Sequence, residues 1–214
     1  MSENEETRTT ELGNPRRPEG EAGEKMLDRM NESHYAMTGW ALTFLDIRPD
    51  DRLLDIGCGG GMTLNRIADK ITDGHLDGVD YSEVSVAKST ALNKAFIDQG
   101  KMTIQEGSVE ALPFEDETFD KIITVESFYF WPDPAENLKE VYRVLKKGGH
   151  FLLVAETYDS PAMSDREREN VAMYNLFNPT KEKFGELFAN AGFEHVQIHT
   201  KSGEEWICID GMRI

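Results

Sequence analysis

The residue types that could do chemistry fall in four places along the chain. Leu53-Leu54-Asp55-Ile56-Gly57-Cys58-Gly59-Gly60-Gly61 runs an apolar, acid-bearing strand into a glycine cluster. Such a turn lets a ligand approach bare backbone. Asp80 follows Gly57 near the spacing of about 20 residues at which a carboxylate on the neighbouring strand meets a ribose diol. Glu126-Ser127-Phe128-Tyr129-Phe130-Trp131 sets an acid and an aromatic run directly after a buried strand, where open α/β sheets hold their ligands. His34, Tyr35, Glu126 and Tyr129 are the titratable groups that could take a proton from a hydroxyl or ammonium nucleophile. A dinucleotide fingerprint needs a third glycine three positions after Gly59, and Met62 stands there, which weakens a nicotinamide or flavin reading.

Those positions need a scaffold of strands alternating with helices. Leu53–Ile56, Gly74–Asp80, Met102–Glu106, Phe119–Val125 and His150–Ala155 read as five strands. Phe193–Thr200 and Glu205–Gly211, split by Lys201-Ser202-Gly203, read as a closing hairpin. Met62, Leu64, Ile67 and Ala68 carry helical spacing directly after the glycine turn. Ser82 is placed to cap a helix burying Val84, Ala87, Ala91 and Ala95. Asp133 and Pro134 start another, with Leu138, Val141, Tyr142 and Leu145 inward and its end at Lys146-Lys147-Gly148-Gly149. Thr180 caps one that buries Phe184, Leu187, Phe188 and Ala191 and stops at Gly192. The pattern predicts a doubly wound, parallel α/β sheet.

Around this core, residues 1–18 lack apolar periodicity and are expected to form a flexible tail. Residues 19–48 read as a helical arm of one short and one longer amphipathic helix, placed so that His34, Tyr35 and Trp40 could fold over a ligand or simply cover the core edge. Residues 49–214 form the main domain, with an insertion at about 157–178 able to cap the site.

A chain of 214 residues with net charge −17 and pI near 4.7 is poorly suited to a nucleic-acid backbone, unless Arg16, Arg17 and Arg29 cluster. The two cysteines, Cys58 and Cys208, fall in no metal-ligand spacing, so no metal site is predicted. No apolar run is long enough to span a bilayer and no basic-then-apolar segment opens the chain, so the cytoplasm is the expected compartment.

L-L-D-I-G-C-G-G-G, then D-G-V-D-Y-S, then E-A-L-P-F-E-D-E-T-F-D, then V-L-K-K-G-G-H-F-L-L-V resemble, in order, the motifs of the class I, seven-stranded, Rossmann-like methyltransferases that use S-adenosylmethionine. The resemblance spans about residues 50 to 211. It implies a mostly parallel seven-stranded sheet with helices on both faces, a C-terminal antiparallel hairpin and an N-terminal helical arm. It implies that Asp55, Gly57, Cys58 and Gly59 hold the methionine portion of S-adenosyl-L-methionine, that Asp80 takes the ribose hydroxyls, and that Tyr81, with Ser82 beside it, lies along the adenine. Ser108 stands where many members carry an aspartate facing the adenine, so that contact would lean on the Val109 backbone, while Glu126 and Ser127 would lie near the methyl donor.

E-S-F-Y-F-W-P-D and Met-Asn-Glu-Ser-His at 30–34 are loosely similar to the small-molecule branch related to ubiquinone and menaquinone biosynthetic methyltransferases. The implied reaction is methyl transfer to a small or medium organic acceptor by in-line displacement. An RNA or protein methyltransferase, and a non-catalytic module that binds S-adenosylmethionine or S-adenosylhomocysteine, are the alternatives. Against nucleobase amines stands the absence of an Asn/Asp-Pro-Pro-aromatic motif after the fourth strand. The sequence identifies neither the acceptor nor a single catalytic residue, and it leaves homo-oligomerisation open.

Overall fold

Apolar runs that are buried on both faces can only pair inside a sheet covered by helices, and the chain builds one such sheet. In this computed structural model, which describes residues 13–214, seven strands lie in the order β3-β2-β1-β4-β5-β7-β6. They are β1 (Arg52–Ile56), β2 (His75–Asp80), β3 (Met102–Glu106), β4 (Phe119–Val125), β5 (Leu145–Ala155), β6 (Glu194–Thr200) and β7 (Ile207–Met212). Strands β1 to β5 pair in parallel, and β7 runs antiparallel to both β5 and β6. The chain winds outward from β1 through β2 to β3, then crosses back to β4 on the other side of β1. The carboxyl ends of β1 and β4 therefore flank the crevice where such sheets bind ligands.

The helices are α1 (Gly20–Ser33), α2 (Tyr35–Ala41), α3 (Met62–Ile67), α4 (Glu83–Leu92), α5 (Lys94–Asp98), α6 (Pro134–Val144), α7 (Asp165–Met173) and α8 (Lys181–Ala191). One layer of core joins Phe151 to Phe188, stacked at 5.3 Å, with Phe128, Phe184 and Phe193 around them. The other joins Leu53, Leu64, Ile67 and Ile123 to Met37 and Leu42 of the arm. In that arm the longer helix comes first, reversing the expected order, and His34 sits at the junction. No helix among the described residues is long and apolar enough to cross a membrane.

Helix α4 departs from the expected pattern. Ser82 caps it, accepting the Ser85 N–H at 3.3 Å, but the buried stripe is Ser85, Ser89 and Asn93, while Ala87, Ala91 and Ala95 are exposed. The cause is the partner surface, which is backbone. A Cβ on Gly61 would overlap Ser89 and Asn93, and the Asn93 amide donates to Gly61 O at 3.1 Å and to Ser89 O at 3.0 Å. Burying an unsatisfied carbonyl costs roughly 1–3 kcal/mol, so Asn93→Ala is expected to lower unfolding free energy by about that amount. Urea unfolding measures this, and an unchanged midpoint would show that water replaces the amide.

Helix α6 begins as its sequence implies, with Asp133 accepting the Glu136 N–H at 3.2 Å and Pro134 at the first position. It stops sooner than expected, because Leu145 opposite Phe119 already opens β5. The Lys146-Lys147-Gly148-Gly149 run lies in that strand, with Lys146 Nζ on Asp120 at 2.8 Å.

Candidate functional site

Parallel pairing of β1 with β2 brings the glycine turn beneath Asp80. The Gly57 and Cys58 N–H groups both donate to Val79 O, at 2.8 and 3.0 Å. The turn is then closed by the Asp80 carboxylate, whose Oδ2 accepts the Gly59 N–H and whose Oδ1 accepts the Ser82 N–H, both at 2.9 Å. Gly57, Gly59 and Gly61 all have positive φ, which bulky residues adopt only at a cost. A Cβ on Gly59 would meet only Leu27, at 3.6 Å, so the missing side chain leaves open space above the turn. Ile56, Gly57, Gly59, Asp80, Tyr81, Ser108, Val109, Glu126, Ser127, Phe130 and Trp131 line a cavity of about 230 Å³ there.

Asp55 lies at the end of β1, next to that cavity, in a smaller cleft of about 60 Å³ shared with Gly57, Cys58, Gly59 and Tyr35. It is buried, and among the described residues its Oδ1 has no hydrogen-bond partner. Burial, reinforced by the nearby Asp80 charge, pushes its carboxyl well above the usual range. A cationic group in the cleft would both pair the orphaned oxygen and favour the ionised acid. Burial also raises Asp80, opposed by the N–H groups of Ser82 and Gly59.

The remaining sequence-derived positions divide. Ser108 Oγ donates to Glu110 at 3.2 Å on the cavity wall, next to Val109. Ser127 is held under the turn, donating to Ile56 O at 3.2 Å and accepting the Trp131 indole N–H at 3.2 Å. Ser82 is spent as a cap and as a donor to Pro18 O at 2.6 Å, away from the cavity lining. Cys58 turns its thiol toward Ser89, 3.8 Å away, so it can offer a ligand its backbone alone. Tyr35 is half exposed under the Arg66 guanidinium, 4.1 Å from the ring centre, and Trp40 packs on Phe44 and Trp206 at the core edge.

Residues 14–18 cross the mouth of the cavity; residues 1–12 of the expected tail lie outside the described residues. The Tyr81 hydroxyl donates to Arg16 O. The Arg16 guanidinium donates to Phe130 O at 3.3 Å and to Asn175 O at 3.5 Å, and lies over the Phe130 ring. Arg17 lies over the Tyr81 ring, 5.8 Å from its centre. Of the three arginines that could have formed a basic patch, Arg16 is engaged with backbone carbonyls, while Arg17 and Arg29 are exposed, Arg29 beside a second cavity.

That second cavity, about 490 Å³, adjoins the first across Met30, Glu126 and Phe130. Its walls are Met26, Met30 and His34 from α1 and the junction, Tyr129 and Phe130 after β4, Glu156 after β5, and Glu167, Val171, Tyr174 and Leu176 from the 157–178 insertion. The insertion is anchored to the aromatic loop, since the Phe177 N–H donates to Tyr129 O at 3.1 Å.

Glu126, with a left-handed φ of 58°, stands where the cavities meet. Its Oε1 accepts the Tyr129 hydroxyl at 3.0 Å and the Glu156 N–H, and its Oε2 faces His34 Nε2 at 3.9 Å. Burial pushes the Glu126 carboxyl up to about 7, against those two donors. Burial lowers the His34 imidazole, offset by Glu156. Sequence reasoning missed Glu156, Met30 and Arg16 as site residues. The available signal for Glu156 was its place one residue past β5, at the same sheet edge as Glu126 past β4.

The chain matches the family described as Methyltransferase domain over residues 54–153. It is similar to the chloroplastic 2-methyl-6-phytyl-1,4-hydroquinone methyltransferase of Arabidopsis thaliana, 35% identical over 180 residues that cover 83% of this chain and 51% of that protein. The chain spans about half the length of the curated plant relatives it matches first. It is also similar to the uncharacterized methyltransferase YdaC of Bacillus subtilis, 27% identical, covering 81% of this chain and 88% of that one. Among solved structures, a SAM dependent methyltransferase from Aquifex aeolicus superposes with a TM-score of 0.74 at 15% identity, covering 89% and 98% of the two chains, which is a likeness of fold.

Proposed function

Because the chain belongs to the class I S-adenosylmethionine-dependent methyltransferases, we propose that it transfers a methyl group to a small organic acceptor, with phenolic, hydroquinone-like rings as the favoured class. The observation that carries this reading is the pair of cavities meeting at Glu126, one floored by the glycine turn and Asp80, the other walled by Met, Tyr, Phe and Leu side chains.

The residues present fit the cofactor. Asp80 keeps acceptor capacity beyond its two N–H bonds, enough for a ribose diol. The orphaned Asp55 oxygen suits the ammonium of the methionine portion, and Tyr81 and Val109 flank the place for the adenine. When bound, S-adenosylmethionine supplies a methyl group on a cationic sulfur that leaves as a neutral thioether.

The protein's share of the work is positional. In-line displacement needs donor and acceptor aligned at near-attack distance in a dry site. Phe130 and Trp131 exclude water from the first cavity, and Phe130 and Met30 form the partition along which an acceptor ring would lie. The hydroquinone class is supported by the name of the Arabidopsis relative and by a second cavity large enough for a substituted ring, in which Met, Tyr, Phe and Leu side chains stand beside polar groups that could meet ring hydroxyls. The net charge of −17 weighs against a phosphate backbone and so against an RNA acceptor.

The test is transfer of labelled methyl from S-adenosylmethionine to a panel of short-chain 2-methyl-6-alkyl-1,4-hydroquinones, catechols, primary amines and tRNA. Labelling of the hydroquinones, with none of tRNA, is the expected outcome. Labelling of tRNA alone would overturn the acceptor class, and tight cofactor binding with no transfer to any of the panel or to cell extract would favour a binding module.

A further inference from the structure

We propose that His34, Glu126 and Glu156 form a binding site for one divalent transition-metal cation on the wall that separates the two cavities. One ligand atom from each, an imidazole nitrogen and two carboxylate oxygens, lies within 4.8 Å of the others. They come from three separate elements: the α1–α2 junction, the residue after β4 and the residue after β5. Ligand-spacing rules that look for nearby residues in sequence cannot find such a set.

The separations leave room for a cation between the side chains. At 3.9 Å, His34 Nε2 and Glu126 Oε2 are beyond hydrogen-bond range, which is about 2.7–3.2 Å for such a pair. A cation that holds each ligand at about 2.0–2.2 Å sets neighbouring ligands about 3–3.6 Å apart, so the three side chains would close by up to roughly 1 Å around it.

The surroundings have the features of a built site. Ligating carboxylates are themselves hydrogen-bonded, and Glu126 Oε1 accepts both the Tyr129 hydroxyl and the Glu156 N–H, leaving Oε2 turned to His34. Tyr129 is fixed in turn, its oxygen accepting the Thr157 N–H at 3.1 Å. Glu126 adopts a left-handed backbone that costs a non-glycine residue roughly 1–3 kcal/mol, and strain of that kind concentrates where a side chain must be aimed. Charge points the same way, since Glu126, Glu156 and Glu167 line the larger cavity together and Arg29 is the one Lys or Arg among its lining residues.

An imidazole with two carboxylates suits Mn²⁺, Fe²⁺ or Zn²⁺ and lacks the thiolates of a structural zinc site. Three protein ligands leave coordination positions open, and these would face the larger cavity. A phenolic or enolic oxygen of an acceptor could occupy one and be held in its deprotonated form. That last role rests on the function proposed above, whereas cation binding itself does not.

Mn²⁺ is the probe, followed by electron paramagnetic resonance and by calorimetry on the purified full chain after chelation and without acceptor. One Mn²⁺ per chain is expected, displaced by Zn²⁺, with affinity falling by about tenfold or more in Glu156→Gln and in His34→Gln. Glu167→Gln, which keeps all three ligands, should retain the stoichiometry of one Mn²⁺. Glu156 lies on the solvent side, so its variant carries the test if His34→Gln fails to fold. No uptake of either metal, or uptake that Glu156→Gln leaves unchanged, would overturn the site. Neither result bears on whether hydroquinones are methylated, so the two readings fail separately.

Discussion

Replacing Asp80 with alanine should weaken S-adenosylhomocysteine binding by about 1.5–3 kcal/mol, roughly ten- to 150-fold in Kd. The carboxylate is in two relationships at once. It would receive the ribose hydroxyls, and it already accepts the N–H groups of Gly59 and Ser82 at 2.9 Å, which shape the turn under the cofactor. Asp80→Asn separates the two contributions, since an amide keeps one acceptor for the backbone but lacks the charge and the second acceptor for the diol. Calorimetric titration should place Asn between wild type and Ala. Equal affinity for all three proteins would remove Asp80 from the cofactor.

Gly57→Val is expected to cost more. The residue has φ of +70°, and a Cβ there would lie 2.5 Å from Ser127 Cβ and 2.7 Å from Ser127 Oγ. Left-handed strain of roughly 1–3 kcal/mol adds to an overpacking term of similar size, so a loss of about 2–6 kcal/mol in unfolding free energy is expected. Cofactor binding should vanish with it, because Ser127 and the turn form one wall of the cavity. The conflict arises within the protein, before any ligand is present, and denaturant unfolding of the free chain reads it directly. Gly57→Val paired with Ser127→Gly should recover part of the stability. A stable single variant with normal affinity would show that the turn can shift away from β4.

How far the sequence revealed this site depended on how local each signal was. Asp55, the glycine turn and Asp80 are legible because a strand, a tight turn and the next strand fix their relation within a short stretch. The parallel sheet follows from strands alternating with helices and the closing hairpin from two strands split by Lys201-Ser202-Gly203, and the structure has both. Helix α4 misled because an apolar-burial rule assumes an apolar partner. Ser89 and Asn93 face the backbone of Gly61, where small polar groups pack closely and the Asn93 amide satisfies carbonyls. The end of α6 misled because lysines and glycines that favour helix termination also fit the outer part of a strand. The meeting of His34, Glu126 and Glu156 was out of reach for another reason. It exists only after β4 and β5 are paired and the arm is folded across their carboxyl ends.

The segment across the mouth of the first cavity bears on how the two cavities open. Pro15, Arg16 and Pro18 form part of the cavity lining while Arg16 O is tied to Tyr81 and the Arg16 guanidinium to Phe130 O and Asn175 O. Hydrogen bonds of this kind are worth about 0.5–1.5 kcal/mol each, or about 1.5–3 where a charged group takes part, so their release is an inexpensive and frequent event. Yet the same guanidinium that lines the first cavity also ties down Phe130, which both cavities share, and Asn175, just beyond α7. One detachment therefore loosens both chambers together. An opening of one chamber would then accompany an opening of the other.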